Sequence, residues 1–139
     1  MRQTVHEFTV STRGKGMYEF TREVRGWIEA SGIQTGLLTL HVRHTSASIL
    51  IQENADPQVQ ADFEAFMSRL VQDGDAIFEH TVEGPDDMAA HVRAALTSTT
   101  LSIPVVSGVP ALGTWQGIFL YEHRLAGNRR KVAAHLLGE

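Results

Sequence analysis

The segment EGPDDMAAHV, residues 83–92, places acidic residues and an imidazole around one Gly-Pro turn. Asp87 and His91 are four residues apart, so on a helix they share a face and come within hydrogen-bonding or common-ligand distance. A carboxylate that fixes the tautomer of a ligating histidine recurs in metal sites. Capping is the alternative, because Asp86 and Asp87 in a first helical turn also interact favourably with the exposed N–H groups. The segment therefore predicts a helix start or a metal site.

His44 closes the strand-like segment TGLLTLHVRH, residues 35–44, and hydroxyl-bearing residues follow it at Thr45, Ser46 and Ser48. The period-two alternation places His44 on the inner face of the strand. There it is either a hydrogen-bonded histidine at the margin of the core or a ligand. The hydroxyl groups could bind phosphate oxygens, although such groups are common at strand ends and no Walker-type loop accompanies them.

Glu122 lies in the strand-like segment WQGIFLYEHR, residues 115–124, where it shares a face with Ile118 and Leu120. A carboxylate on an apolar face requires a partner. That partner could be an arginine in a structural pair, a metal ion, or a substrate proton for which Glu122 is the base. The sequence leaves these three roles open.

Two more segments contain residues that a pocket could use. In ENADP, residues 53–57, Asp56 occupies the N-cap position of a helix and Asn54 forms a turn, although a helix start also binds anions. Trp115 and Gln116 could line a pocket for a flat heterocycle. Capping for Asp56 and core packing for Trp115 are the simpler interpretations.

Basic residues cluster late in the chain, at Arg124, Arg129, Arg130 and Lys131. They indicate either a solvated hairpin or a local phosphate contact. The formal net charge of −4 provides no general attraction for nucleic acid, and no aromatic-plus-basic RNA-binding signature is present. Nucleic acid is therefore not an expected partner.

Length and composition predict a single domain over residues 1–139, because 139 residues suffice for one ordinary core. A hydrophobic fraction of 42% without any apolar run of membrane-spanning length is typical of a soluble protein without a membrane partner. No signal peptide is visible, so the cytoplasm is the expected location. Since cysteine is absent, histidine, aspartate and glutamate are the candidates for metal or acid–base chemistry.

The elements that must position these residues alternate between strand and helix patterns. Residues 2–11 alternate like a strand, and a first helix is expected from Met17 to a stop at Gly32. A second helix begins after Asp56, and a third opens after a short strand and loop that contains His80.

The apolar stripes predict which helix faces are buried. They comprise Val59, Phe63, Phe66 and Leu70 in the second helix and Met88, Val92, Ala95 and Leu96 in the third. The short turn LAGN, residues 125–128, favours an antiparallel hairpin of the last two strands. These patterns predict an α+β fold with a mainly antiparallel, β-sandwich-like core and about three flanking helices.

Four motifs in order carry a resemblance to a known family: HTSAS at 44–48, ENADP at 53–57, EGPDDMAAH at 83–91 and LGTWQGIFLYEHR at 112–124. Together they resemble the YjbQ-like family, often named secondary thiamine-phosphate synthases. The resemblance implies a compact α+β fold with a β-sandwich-like core, assembled as a homotrimer, with a polar site near the subunit boundary.

The resemblance also implies a metal site and an activity. The implied metal ligands are His44, His80 and His91, with Asn54, Asp56, Asp86, Asp87, Trp115, Gln116 and Glu122 around them. The implied reaction joins hydroxymethylpyrimidine diphosphate to thiazole phosphate and yields thiamine phosphate and pyrophosphate. Three histidines suit zinc or another transition metal better than magnesium, which remains possible because pyrophosphate chemistry commonly uses it.

Roles follow for the remaining residues under this hypothesis. Asp87 orients His91, and the small phosphorylated substrate is contacted by Ser46, Asn54 and Asp86. Arg124 or Arg130 binds its phosphate, and Trp115 stacks on the pyrimidine beside Gln116. Glu122 or Asp56 transfers a proton. The alternatives are a metal-dependent hydrolase of a small phosphorylated metabolite, with Glu122 as its base, and a non-catalytic trimeric protein that binds a metal and a ligand.

Overall fold

Eight strands and three helices form the chain, and the structure, a computed structural model, describes all of residues 1–139. In chain order they are β1 Arg2–Ser11, β2 Gly16–Glu19, α1 Thr21–Ser31, β3 Gly36–Val42, β4 Ala47–Glu53, α2 Pro57–Leu70, α3 Asp87–Leu96, β5 Thr100–Val106, β6 Val109–Pro110, β7 Gln116–Glu122 and β8 Arg129–Gly138. The expected α+β class is confirmed. No helix is long and apolar enough to cross a membrane.

The strands form two sheets in which every pairing is antiparallel. The larger sheet has the order β1-β8-β3-β5-β6, and the smaller one has the order β2-β7-β4. The expected hairpin of the last two strands is wrong, because β7 and β8 belong to different sheets. Both edges of β7 are already paired, with β2 and β4, so residues 123–128 cross to the larger sheet, where β8 inserts between β1 and β3.

The core lies between the inner faces of the two sheets. Leu38 and Leu40 of β3 face Ile118 and Leu120 of β7, and all four side chains are completely buried. Burying each such side chain contributes about 1.5–3 kcal/mol to stability. The alternation predicted for β3 is confirmed. Met17, expected in a helix, lies in β2 instead, where it pairs with Tyr121 of β7.

The helices α2 and α3 pack on the outer face of the smaller sheet, but the side chains that they bury are not the apolar stripes expected from the sequence. Phe66 and Leu70 of α2 are 57% and 58% exposed, while Met67 between them is buried. The buried face of α3 includes Ala90 and Arg93 rather than Leu96. The helices turn this way because the sheet face beneath them is partly polar, so polar side chains pack inward. No strand forms between α2 and α3, where a short one was expected.

Candidate metal centre

Three side chains converge where the loop after α2 meets the start of α3. His80 Nε2 lies 2.9 Å from Asp87 Oδ2, and His91 Nε2 lies 3.0 Å from the same oxygen. The ligating atoms all lie within 4.8 Å of one another. Asp87 and His91 meet because they are one turn apart on α3, as predicted. His80, Asp87 and His91 are called the triad below.

The protonation of His91 indicates what the triad can hold. His91 Nδ1 lies 2.8 Å from the carbonyl oxygen of Thr45, which only accepts hydrogen bonds, so Nδ1 carries a proton. In the neutral ring, Nε2 then presents a lone pair to the carboxylate of Asp87, another acceptor. Two acceptors 3.0 Å apart require a cation beside both or a second proton on the ring. A histidine whose Nδ1 donates to a carbonyl is the usual form of an Nε2 metal ligand.

Net charge at the site favours a cation as well. Asp86 and Asp87 are 6% and 4% exposed, and the only guanidinium that pairs with them is that of Arg124. Its Nε lies 2.9 Å from Asp86 Oδ2 and its Nη1 lies 2.8 Å from Asp87 Oδ1. With neutral histidines, one buried negative charge is left over, and burying an uncompensated charge is costly. A divalent cation would remove that cost.

Both carboxylates are ionised in this environment. Burial by itself would raise the pKa of Asp87, but hydrogen bonding to His80 and the nearby basic groups hold it below its usual range. Burial opposes ionisation of Asp86 too, yet hydrogen bonds from Arg124 and from the backbone of Leu125 lower its pKa. Metal ligation requires deprotonated carboxylates, so Asp87 is ready to bind.

Asp86 does not cap α3 through its side chain, so a capping hydrogen bond does not explain this acid, although Asp87 does lie in the first helical turn. Asp86 occupies the N-cap position, but its side chain makes no capping hydrogen bond. Its carboxylate instead accepts from Arg124 and from the N–H of Leu125 at 2.9 Å. Arg124 also donates from Nη2 to the carbonyl oxygen of Glu83 at 2.8 Å, in the turn where Gly84 adopts φ +103°. Arg124 therefore holds Asp86, Asp87 and the turn at Glu83 together, and its guanidinium is not free to bind phosphate.

The donor set fits a transition metal. Two imidazole nitrogens and one carboxylate oxygen are common ligands of zinc, whereas magnesium prefers oxygen alone. Zinc ligands at about 2.0 Å in a tetrahedron would be about 3.3 Å apart, close to the 2.9 and 3.0 Å between His80, His91 and Asp87 Oδ2. Three protein ligands also leave a coordination position open, as in catalytic zinc sites.

His44 is not part of the triad, which corrects the three-histidine ligand set that the resemblance implies. The backbone N–H of Lys131 donates to His44 Nε2 at 2.7 Å, so that nitrogen is already used. Burial lowers the pKa of His44, and the charge of Arg130 lowers it further. The neutral ring of His44 is thus fixed by the start of β8.

A cleft of about 590 Å³ nevertheless joins His44 to the triad. Its lining consists of His44, Thr45, His91, Ala94, Ala95 and Thr99. On the other side, His80 lines a smaller cavity of about 390 Å³ with residues of the loop before α3. The volume of the larger cleft lies within the range of small-molecule sites. Its small side chains leave room for a ligand beside His91.

Glu122 is completely buried and fully hydrogen-bonded. Arg130 donates to both carboxylate oxygens, Thr12 Oγ1 donates to Oε1 at 2.7 Å, and two backbone N–H groups donate to Oε2. Burial by itself would raise the pKa of Glu122, but these donors lower it. Of the three roles left open, the structure supports the arginine pair. The expected general base is not supported, because the carboxylate has no free position for a substrate proton.

Four other predicted site residues lie at the far end of the smaller sheet. Asp56 accepts from the N–H of Gln58 and caps α2, and Asn54 donates to Glu19 at 3.1 Å. Gln116 bonds a nearby backbone N–H, and Trp115 is 63% exposed. Seven-residue β4 separates this group from Ser46, a distance of about 20 Å. The structure does not bring these residues to the triad.

A buried polar network that was not expected from the sequence anchors α3. Arg93 is 1% exposed and donates to Glu64 of α2 at 2.8 Å, and Tyr121 of β7 donates to the same carboxylate. Nearby, completely buried His123 lies 2.8 Å from Ser48 Oγ. The alternation of β7, which places Tyr121 and His123 on one face, was the available signal. The network holds the helix that positions Asp87 and His91.

Comparisons with known proteins agree with the fold. A family model described as "UPF0047 protein YjbQ-like" matches residues 6–139. The chain is 46% identical to a UPF0047 protein of Synechocystis sp. over 138 residues, which cover 99% of this chain and 94% of the relative. It is 41% identical to YjbQ of Escherichia coli O157:H7 over 132 residues, which cover 94% of this chain and 95% of that one.

Solved structures resemble it as well. A hypothetical protein from Aeropyrum pernix K1 superposes with a TM-score of 0.88 at 31% identity, covering 98% of this chain and 99% of that one. A yjbq/upf0047 family protein from Clostridium acetobutylicum superposes with a TM-score of 0.87 at 30% identity, covering 95% and 99%.

Proposed function

The chain belongs to the YjbQ-like UPF0047 family, and we propose that it is a divalent-metal-dependent enzyme that acts on a small phosphorylated molecule. The observation that carries the proposal is the meeting of His80, Asp87 and His91, with the lone pair of His91 Nε2 directed at a carboxylate. The cleft beside His91 provides space for the substrate.

Each residue of the centre has a distinct task. His80, Asp87 and His91 would hold the ion, and Arg124 keeps Oδ2 of Asp87 directed at the histidines by binding Oδ1. A bound divalent metal supplies a Lewis acid that offsets negative charge on a phosphate. The Thr45 carbonyl fixes the tautomer of His91. Of the three ligands, His91 is the one that lines the cleft.

Thiamine-phosphate synthase activity is the specific form that we propose to test first. Its support is the resemblance, together with the requirement that the departing pyrophosphate find positive charge. Arg124 and Arg130 are both engaged with buried carboxylates, so they offer little of that charge. The triad is the remaining place to bind a cation near the cleft.

Hydrolysis of a phosphorylated metabolite is the second candidate, and the ligand set favours it. Two histidines and one carboxylate are the ligand set of several zinc hydrolases. The two reactions use the same centre and differ in the acceptor, which is a thiazole in one and water in the other. A binding protein without turnover is the remaining alternative.

The test begins with elemental analysis of the purified, untagged protein. We expect about one equivalent of zinc or a similar metal in the native protein and at least a tenfold loss of metal affinity in His91→Ala. His135→Ala is the matched control, because half-buried His135 lies in β8 and bonds only Gln3. Equal metal content in His91→Ala and the native protein would show that the triad is not the site.

Activity assays then separate the candidate functions. Pyrophosphate release from the two thiamine precursors would support the synthase, and phosphate release from a panel of phosphoesters would support the hydrolase. Either activity should require the metal and disappear in His91→Ala. Stoichiometric metal without turnover in any assay would leave the binding protein.

A further inference from the structure

Arg130 is a buried guanidinium whose Nη1 has only one hydrogen-bonding neighbour, a nitrogen of His44. The residue is 5% exposed, and its Nε and Nη2 donate to Glu122. Nη2 also donates to Ser46 Oγ at 3.0 Å. The polar atom nearest to Nη1 in this arrangement is His44 Nδ1, at 3.4 Å. Whether Nη1 has an acceptor therefore depends on which nitrogen of His44 carries the proton.

The tautomer of His44 is determined by its other nitrogen. Because the Lys131 N–H donates to Nε2 at 2.7 Å, Nε2 is the acceptor and the neutral ring carries its proton on Nδ1. The lowered pKa of His44 favours that neutral ring. Nδ1 of His44 and Nη1 of Arg130 are consequently two donors that face each other. Neither satisfies the other, although Arg130 is buried.

Two such donors are suited to an anionic oxygen. Donors 3.4 Å apart can both bond one oxygen that lies about 2.8–3.0 Å from each. His44 lines the same cleft as His91, and adjacent Thr45 bonds His91 directly. Arg130 is not among the residues that line this cleft, so an oxyanion bound by both donors would reach them from the His44 side of the cleft.

We infer that His44 Nδ1–H and Arg130 Nη1–H form an oxyanion subsite that binds a phosphate oxygen of the ligand in this cleft. Glu122 neutralises the charge of Arg130, so the subsite provides directed donors rather than net charge. The identity of the ligand as a substrate rests on the proposed function. The donor pair itself does not depend on the metal.

The experiment titrates inorganic phosphate into the chelator-treated, metal-free protein. We expect phosphate to shift the ¹⁵N resonance of His44 Nδ1 and to bind roughly tenfold or more weakly to His44→Phe, since a charge-assisted hydrogen bond is lost. His41→Phe is the matched control, because exposed His41 is near in sequence but bonds Thr100 on the outer sheet face. The ¹⁵N measurement on the unaltered protein is independent of how well the variant folds.

Two results would overturn the subsite. One is an unshifted His44 Nδ1 resonance at saturating phosphate, and the other is equal phosphate affinity in folded His44→Phe and His41→Phe. Phenyl phosphate and pyrophosphate serve as further probes, because a monoester and a diphosphate present the same oxygens. The probe that binds more strongly, phenyl phosphate or pyrophosphate, shows whether the subsite takes its phosphate oxygen from a monoester or from a diphosphate. Since no metal is present, failure of the metal proposal would leave this test intact.

Discussion

Each oxygen of Asp87 has a separate partner set. Oδ1 accepts from Arg124 and Oδ2 faces His80 and His91, so one carboxylate connects Arg124 to both histidines of the triad. Glu122 shows the opposite case, because its donors occupy both of its oxygens. Of the two acids, only Asp87 has an oxygen that faces imidazole nitrogens. Under the proposed function, Asp87 is therefore a metal ligand, whereas Glu122 is the structural partner of Arg130.

Protonation of His123 should limit stability in mild acid. Burial lowers the pKa of this ring to about 4, and the charge of Arg93 contributes. Because the unfolded chain takes up the proton near pH 6.5, the unfolded state binds more protons between pH 4 and 6.5. Stability should therefore rise with pH across this range, and lowering the pH from 7 to 5 should cost about 2 kcal/mol through His123.

Urea unfolding of the metal-free protein at pH 7 and pH 5 measures this loss. In His123→Gln, which can keep a hydrogen bond to Ser48, the pH-dependent loss should shrink by about 2 kcal/mol. His41→Gln, at an exposed position, should retain it. The interpretation fails if His123→Gln loses as much stability as the native protein on acidification.

At the scale of elements, α3 is positioned from both sides. Its start is tied to the β7–β8 connection through Asp86 and Arg124, and its middle is tied to α2 through Arg93 and Glu64. The geometry of α3 by itself places Asp87 and His91 on one face, but it does not direct that face toward His80. The position of α3 therefore determines the position of Asp87 and His91, and the main role of α2 is to hold α3 in place.

The N-cap of α2 provides a test that separates structure from chemistry. Asp56 accepts from the N–H of Gln58, so Asp56→Ala should lower the free energy of unfolding by about 1 kcal/mol. Asp56→Asn should be nearly neutral, because asparagine caps helices as well as aspartate does. Metal content and turnover should be unchanged in both variants. Loss of turnover in Asp56→Asn at native stability would restore the catalytic role expected from sequence.

At the scale of the whole molecule, the two-sheet architecture divides the predicted site residues. Ser46 and Glu122 lie at one end of the smaller sheet, where Arg130 of the larger sheet and His44 meet them, and Asn54, Asp56, Trp115 and Gln116 lie at the other end. Only the first end contacts the triad. Within one chain, a substrate of ordinary size at the triad would not reach the second group, about 20 Å away.

Assembly is the whole-molecule prediction. Phe66 and Leu70 lie one turn apart on α2 and are 57% and 58% exposed, an arrangement that an interface would bury. We expect light scattering to give three times the chain mass of 15.3 kDa, as the homotrimer implied by the resemblance requires. Phe66→Glu should shift the mass toward the monomer, and Val5→Glu, at another exposed apolar position, should not. A monomeric native protein would contradict the prediction.

The local patterns of the sequence were sufficient for much of the fold. The alternation of β3, the N-cap at Asp56 and the i, i+4 pair at Asp87 and His91 each depend on residues close in the chain, and each is present in the structure. These features follow from the periods of strand and helix, which neighbouring residues set by themselves. The mainly antiparallel sandwich followed from the order of the elements.

Only the tertiary structure determines which residues that are distant in the chain contact one another. The sequence alone could not pair Glu122 with Arg130, assign the Thr45 carbonyl to His91, or exclude His44 from the triad. Each of these depends on how the two sheets pack and on the crossing from β7 to β8, which no local period encodes. Burial then determines the outcome, because a buried polar group must take whatever partner the fold places beside it.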